Sequence, residues 1–561
     1  MVGQGRTTST PLRRRGWRWA LIALLAWAGG SQAQLATNIG VDVRAMSMGN
    51  AVTADPPGIM SIHFNPAGLA RLDGRRMDLQ FLAVDLSLSS QFSAPPDYNV
   101  FGFSDDPVVC ADAPGTGDRC QNFRTGKSGI EGVSLYLPFV NDFVNLPPGP
   151  LAAGPVPSFS IRPEGSKFTF ATATYLPMVA GFYRDKNDPG NFMGSRVALN
   201  RLTYLSPSVG YQVTDTLSIG ASVGFSYQAV GLETDFRAPN DLLGFARIVS
   251  ESICAPFAGE SNFALDIILF GICRPNEGLG PFKSLASLDV TMDDRFSPSY
   301  NLGILWEPND RFAWGAVWHS PTKVRMRGRY NIAYSNATRE TINGIGSSPT
   351  GAIALAVLGV PNYVGLQDTG IINMDITMPA HFQTGIKVKP HERLQFNMDA
   401  VWTDYSTWDA FNFEFDSSNA ALALARLFTP GATSDTLSYP LNFRSTWNLA
   451  FGAEFTVNDR LKLRAGFEPR ASAIPNNRRM PMVPINEARY YSVGLGYRWS
   501  EDTEFDFAFA MLESRDHVPA NSSCSANCTG INNMVYNPYA GLDIKTKATI
   551  NMFGFAYRTR F

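Results

Sequence analysis

Six cysteines and five histidines are the residues of this 561-residue chain best suited to chemistry. The cysteines form three close pairs: Cys110/Cys120, Cys254/Cys273 and Cys524/Cys528. In an exported chain such local pairs predict disulfides. Zinc ligation is the rival reading, but no His-rich stretch or repeated Cys-x-x-Cys spacing accompanies them. The histidines are His63, His319, His381, His391 and His517, and none stands beside a Ser or Cys motif. No nucleophile elbow, zinc-protease or P-loop signature stands out. We therefore expect no cofactor, no metal and no enzyme, leaving open only a catalytic set assembled from distant positions. Three cations, Lys387, Arg464 and Arg498, fall by alternation on inward faces of the strands described below. A fatty carboxylate in a dry pocket would want such a cation, although a charged lumen lining is the plainer use of each.

The elements that position these residues start with export. Arg13, Arg14 and Arg15 precede the apolar run "WRWALIALLAWAGG" (17–30), which ends in Ser31-Gln32-Ala33. A basic start, a short apolar core and small residues at the cleavage point read as a signal peptide over 1–33, with the mature chain beginning at Gln34. An uncleaved anchor is the alternative, but the run is short for a membrane span. With 47 basic and 49 acidic residues, the charge balance speaks against a nucleic-acid partner.

Past residue 75 the dominant period is two. In "TLSIGASVGFSYQ" (216–228) Leu217, Ile219, Ala221, Val223, Phe225 and Tyr227 share one face. The same alternation recurs in "NLAFGAEFTV" (448–457), "LKLRAGFE" (461–468), "YSVGLGYRW" (491–499) and "EFDFAFAML" (504–512). Alternation alone also fits a soluble sandwich. The connections decide. Six tight polar turns, "PEGSK", "VTDT", "PNDR", "PHER", "VNDR" and "SEDT", alternate strictly with seven long segments, which requires fourteen strands. Short turns at one end, long loops at the other and an even strand number describe an outer-membrane barrel of a Gram-negative bacterium. Both termini would then be periplasmic, and all six cysteines would lie in extracellular loops. The final strand, "INMFGFAYRTRF", ends on Phe561, an aromatic terminus like the signal read by the barrel assembly machinery.

Ahead of the first strand lies "FNPAGLARL" (64–72), too interrupted by Pro66 and Gly68 for a strand or a long helix. With "TYLSPSVGYQVTDTLSIGASVGF" (203–225), "YNLGILWEPNDRFAWGAVWHSPTKVRMRG" (300–328), "ITMPAHFQTGIKVKPHERLQFNMDAVWTDYS" (376–406) and "LAFGAEFTVNDRLKLRAGFEP" (449–469), it resembles the long-chain fatty acid outer-membrane transporter family, the FadL type, over nearly the whole mature chain. The resemblance implies an all-β fold: a 14-stranded antiparallel transmembrane β-barrel over 76–561 with an N-terminal lumen hatch over 34–75. Asn65, Pro66 and Ala67 would carry the hatch motif. It further implies uptake of hydrophobic compounds, fatty acids or, on the same scaffold, aromatic hydrocarbons. They would be captured at the outer loops and held beside the hatch, then released sideways through an inward kink of the third strand. The apolar segments "FALDIILFGIC" (263–273) and "GAIALAVLGVPNYVG" (351–365) suit capture, with Leu265, Ile267, Ile268, Leu269 and Phe270 as candidates; loop-to-loop packing is the alternative. Expected partners beyond the substrate are outer-membrane lipid and lipopolysaccharide, and a monomer is expected.

Overall fold

A computed structural model of the chain describes residues 40–98, 126–137, 142–146, 151–186, 188–237, 248, 252, 284–427, 429, 431–483, 485–529 and 537–561. The wall is built from fourteen antiparallel strands. Its first half comprises β1 (Arg75–Ser93), β2 (Leu151–Ile161), β3 (Phe168–Ala173, continued by Tyr175–Tyr183), β4 (Arg196–Leu205, continued by Ser208–Gln212), β5 (Leu217–Arg237), β6 (Ser284–Asn309) and β7 (Phe312–His319, continued by Thr322–Tyr334). The second half comprises β8 (Gln367–Met378, continued by His381–His391), β9 (Leu394–Thr403), β10 (Thr446–Thr456), β11 (Leu461–Arg470), β12 (Ala488–Arg498), β13 (Thr503–Val518) and β14 (Asp543–Arg560). β1 pairs with β14 from Arg76↔Arg560 to Ser93↔Asp543, so the barrel is closed. Closure is what lipid demands, because every wall amide must find a partner inside the sheet. No described helix is long and apolar enough to cross a membrane.

The strands differ from the sequence expectation in extent, and the reasons are local. The ninth strand stops at Thr403 instead of 409, because Tyr405–Thr407 forms a 3-10 turn. The chain beyond it folds back as the hairpin Ala410–Phe415/Thr436–Pro440, which pairs onto β8 at Ile372↔Phe415. β5 and β13 run on to Arg237 and Val518, past 228 and 513, because their upper ends keep pairing above the lipid band.

Those upper ends reverse the sense of the wall. Near the short turns, β6 buries Ser297, Ser299 and Asn301 inward and exposes Leu302 and Trp306 outward. Higher up, it buries Leu288, Val290 and Met292 and exposes Asp289. The switch falls where the β5–β6 register shifts between Ser226 and Gln228. A bulge inserts one residue, and one residue is enough to swap faces. β7 breaks at Ser320-Pro321, β8 at Pro379-Ala380 and β4 at Ser206-Pro207, all places where proline withdraws a ladder donor. Below these breaks lies the lipid-facing band, apolar outside; above them the barrel stands in water, apolar inside.

The upper interior is one large apolar cluster. It includes Val290, Met292, Val324, Met326, Ile332, Ile372, Met374 and Met378, with Tyr405 and Trp408 closing over it. Helices Asn336–Gly346, Pro349–Leu358 and Ala420–Ala425 sit among the long loops and send Ile342, Leu355 and Leu422 into that cluster. Cys524 and Cys528 are disulfide-bonded in the last long loop. Cys110, Cys120, Cys254 and Cys273 lie outside the described residues, as do Leu265, Ile267, Ile268, Leu269, Phe270 and the segment 1–33.

Candidate functional site

Residues 41–70 are almost continuously buried, and the surface that buries them is the inside of the wall. Asp42 caps the short helix Val43–Ser47 through Ala45 N. A second short turn, Ser61–Phe64, ends at Asn65, whose extended backbone leads into the 3-10 turn Pro66–Arg71. Pro66 opens that turn, where its missing N–H costs nothing. The Asn65 side chain does three jobs: Oδ1 accepts from Ala67 N at 3.2 Å, and Nδ2 donates to Thr53 O at 2.9 Å and to the wall carbonyl of Ile304 at 3.0 Å. Ile62, Phe64, Leu69 and Leu72 pack with Val52, Ile59 and Met60 against Ala171, Ala173 and Tyr175 of β3. Asn65, Pro66 and Ala67 are therefore held inside the barrel.

Glycines seat this segment. Gly210, Gly220, Gly303, Gly315, Gly452, Gly466, Gly494 and Gly554 lie on β4, β5, β6, β7, β10, β11, β12 and β14. A Cβ at Gly220 would strike Pro66 and Ala67; at Gly466, Gly49 and Met48; at Gly494, Ser47. The missing side chains let two backbones approach. Inward polar side chains then satisfy the backbone groups that an irregular segment leaves over. Asn397 Nδ2 donates to Ala51 O at 2.8 Å, Ser222 Oγ to Ile62 O at 3.1 Å and Tyr490 OH to Met46 O at 3.2 Å, while Asp399 accepts from Thr53 N at 2.8 Å. Gly220-Ala-Ser222-Val-Gly224 does match the spacing of a nucleophile elbow, a match passed over in the sequence reading. Ser222 nevertheless sits mid-strand in β5 with its hydroxyl spent on the buried segment, so the strand–turn–helix context of an elbow is missing.

Toward the short turns the fit becomes ionic. Arg71 pairs with Glu307 at 2.5 Å and Asp55 at 3.0 Å, and Arg44 also pairs with Asp55. Arg558 bonds Asp42 at 2.8 Å and also pairs with Asp506. Two of the sequence candidates are members of this network. Lys387 lies 3.4 Å from Glu307 and 3.8 Å from Asp55. Arg464 bonds Glu454 at 2.8 Å and pairs with Asp506. The third, Arg498, is exposed at the mouth beneath the segment. Pairs buried this way specify register more surely than they add stability.

At the opposite side of the segment, where it meets the strand breaks, lies a narrow cavity of about 90 Å3. His63, Tyr175, Met178, Arg201, Asn301, His319, His381 and Tyr405 line it. Three of the five histidines meet there: the His63 and His319 rings are 5.3 Å apart and those of His319 and His381 5.0 Å. His381 Nδ1 faces Thr403 Oγ1 at 3.1 Å. Arg201 has no carboxylate in ion-pair reach among the described residues; its Nε donates to Ser226 Oγ at 3.4 Å. Sequence reasoning missed this cluster, since closure of the barrel is what joins positions 63, 201, 319 and 381. The glycine belt did leave a signal: one glycine at a similar height in strand after strand.

Beside the cavity the wall is incomplete. β2 pairs with β3 only through Ser158–Ile161 and Phe170–Ala173. Above Thr174, β3 turns Tyr175, Met178 and Phe182 inward and pairs with β4 alone, apart from a bridge at Gly132↔Tyr183. The edges Leu151–Pro157 and Tyr175–Phe182 are thus not paired with each other in the ladder at the level of the cavity, and the hairpin Val133–Leu137/Asp142–Leu146 packs against Gly181 of β3 there.

The family model described as outer membrane protein transport protein (OMPP1/FadL/TodX) matches residues 19–561. Among curated proteins, a 47 kDa outer membrane protein of Pasteurella multocida is 24% identical over 246 residues, 43% of this chain and 50% of that protein. A long-chain fatty acid transport protein of Escherichia coli is 21% identical over 224 residues, covering 40% and 43%. The chain spans about half the length of these relatives. Among solved structures, a FadL homologue of Pseudomonas aeruginosa aligns with a TM-score of 0.61 at 19% identity, covering 95% of this chain and 100% of that one. The toluene transporter TodX of P. putida aligns with a TM-score of 0.56 at 14% identity, covering 95% and 99%. These likenesses extend to the fold.

Proposed function

The chain belongs to the FadL/TodX family of outer-membrane proteins that transport hydrophobic compounds, and from that premise we propose that it takes up long-chain carboxylic acids. The observation that carries this reading is Arg201: a cation without a carboxylate partner among the described residues, in a cavity that opens beneath an apolar upper lumen. A carboxylate head would pair with Arg201 in a site largely shielded from water, where a charge-assisted bond is strong, while the chain lies along Met292, Met326 and Met374. Methionine suits such a surface because it adapts to flexible ligands. Lys387 and Arg464 are engaged by acids of the hatch and wall and serve the closure; Arg498 lines the periplasmic mouth.

The route has three stages. Apolar residues of the outer loops collect substrate: Ile353, Val357, Tyr363 and Leu366 are exposed around the helix Pro349–Leu358, and the third-loop residues Leu265 to Phe270 extend the same role. The cavity at the seam holds the head group. Displacement of residues 61–72, the upper part of the hatch, then lets substrate leave between the unpaired edges of β2 and β3 into the outer leaflet. A second reading, a monoaromatic hydrocarbon, is favoured by the small size and ring-rich lining of the cavity.

One experiment separates the two. Cells carrying wild type or Arg201→Met are assayed for uptake of oleate and of toluene. Carboxylate uptake should fall about tenfold or more, matching the loss of one charged hydrogen bond of ~1.5–3 kcal/mol, with toluene uptake unchanged. Equal oleate uptake by both proteins would defeat the carboxylate reading, and a selective loss of toluene uptake would favour the second.

A further inference from the structure

A further cavity lies outside the lumen. It is a groove of about 590 Å3 on the lipid-facing surface where β1 and β12–β14 meet. Phe81, Val493, Phe507, Phe509, Phe553 and Phe555 line it; all are exposed except Phe555, which is half-buried. The phenylalanines form a ridge, with Phe507–Phe555 and Phe509–Phe553 ring centroids both 5.0 Å apart. Ala83, opposite Phe553 in the ladder, leaves the dip beside it.

Directly above the groove, the same strands turn cationic. Arg489 on β12, Arg515 on β13 and Lys545 and Lys547 on β14 are all exposed on the outer face. Within this row Glu513 is shared by Arg515 at 2.6 Å and Lys547 at 3.8 Å. Asp543 is taken by His517 at 2.9 Å, Asp85 lies lower, beside Asn551, and Glu487 sits two residues beyond Arg489. Lys545 and Arg489 make no ion pair within 4 Å among the described residues, although Glu513 also stands opposite Arg489 in the ladder. Height is the telling quantity. Trp499 to Arg489, Phe505 to Arg515 and Tyr557 to Lys547 are each ten residues, from the aromatic residues near the short turns to the cations. A tilted strand needs about 9–11 residues to cross the apolar band of a membrane. The cations therefore stand at the outer-leaflet interface, over a groove shaped for acyl chains.

We propose that this face is a docking site for lipid A, the phosphorylated, multiply acylated anchor of lipopolysaccharide. Its phosphates pair with Arg489, Arg515, Lys545 and Lys547, and one of its acyl chains lies in the phenylalanine groove. The two halves of the ligand match two independent features of the surface, and the vertical offset between them matches the amphiphile. The site lies on the outside of the barrel near the β1–β14 closure and does not depend on which compound the lumen carries.

The test uses the full-length barrel in detergent, with binding of purified bis-phosphorylated lipid A followed by native mass spectrometry. Two variants address the two halves: Lys545→Gln/Lys547→Gln/Arg515→Gln for the charges, and Ala83→Trp for the groove. The charge variant changes exposed positions and Ala83 is half-buried on the outer face; heat-modified mobility on gels verifies that each barrel is folded. Each variant should weaken lipid A binding at least tenfold. Dephosphorylated lipid A should bind wild type as poorly as the charge variant binds lipid A, and phosphatidylglycerol should compete weakly. Lipid A binding equal to wild type in both variants would overturn the proposal. So would equal competition by phosphatidylglycerol, which would make the face a general anionic-lipid surface.

Discussion

The two halves of the lumen are built from the same strands and treat their interiors in opposite ways. The half above the strand breaks is lined by Val290, Met292, Met326, Ile332 and Met374 and is covered by apolar residues of the long loops, among them Ile342, Tyr405 and Trp408. The half below is lined by glycine, amide and charged residues and is filled by residues 40–74. The difference teaches that the wall is not a uniform pipe. An apolar surface can take up a hydrophobic ligand in many poses, so the upper half is suited to passage. Hydrogen bonds and ion pairs are directional and favour one fit, so the lower half is suited to closure.

If the halves are distinct in this way, damage to each should have its own signature. The largest effect is expected from Gly220→Leu and Gly466→Leu, whose side chains would collide with the hatch backbone at Pro66 and at Gly49. Both should open an ion conductance in planar bilayers about a hundredfold above wild type, in barrels that still show folded mobility. Next comes Val290→Asp, which puts an unpaired charge into the upper lining. Oleate uptake should drop about tenfold while conductance stays at the wild-type level; a new conductance there would break the division of labour. Asn65→Ala removes the bonds to Thr53 O and Ile304 O. Buried polar groups left without a partner cost ~1–3 kcal/mol, which predicts brief conductance bursts at least ~10-fold more frequent than in wild type. The smallest effect is expected from Arg71→Met. Its pair with Glu307 is partly exposed, at 26% and 29%, and Asp55 would keep Arg44 and Lys387, so the change should stay below ~1 kcal/mol. Burst frequency should rise a few-fold and become less sensitive to salt.

Much of the wall was legible in the sequence because hairpins announce themselves twice, by alternation and by turns such as "PNDR" and "VNDR" between the strands. Closure and strand number followed from the sorting of short and long connections. The inversion of polarity was not legible. Alternation reports a period of two but not which face is inside, and a bulge at Ser226 exchanges the faces without disturbing the period. Pro66 and Gly68 mark residues 64–72 as irregular, but the seat of that segment was not legible, because eight glycines on eight strands become one belt only when the barrel closes. The ionic network of Lys387 and Arg464 was not legible, because Asp55, Glu307 and Asp506 lie far from them in the chain. The cavity gathers His63, Arg201, His319 and His381 for the same reason.

The central claim is that residues 40–70 close the lower lumen and that hydrophobic uptake depends on their displacement. It is tested most directly by deleting that segment and recording bilayer conductance and oleate uptake on the same folded barrel. The account predicts a steady, large ion conductance that wild type lacks, together with altered uptake. A deletion that stays electrically silent and takes up oleate at the wild-type rate would contradict it.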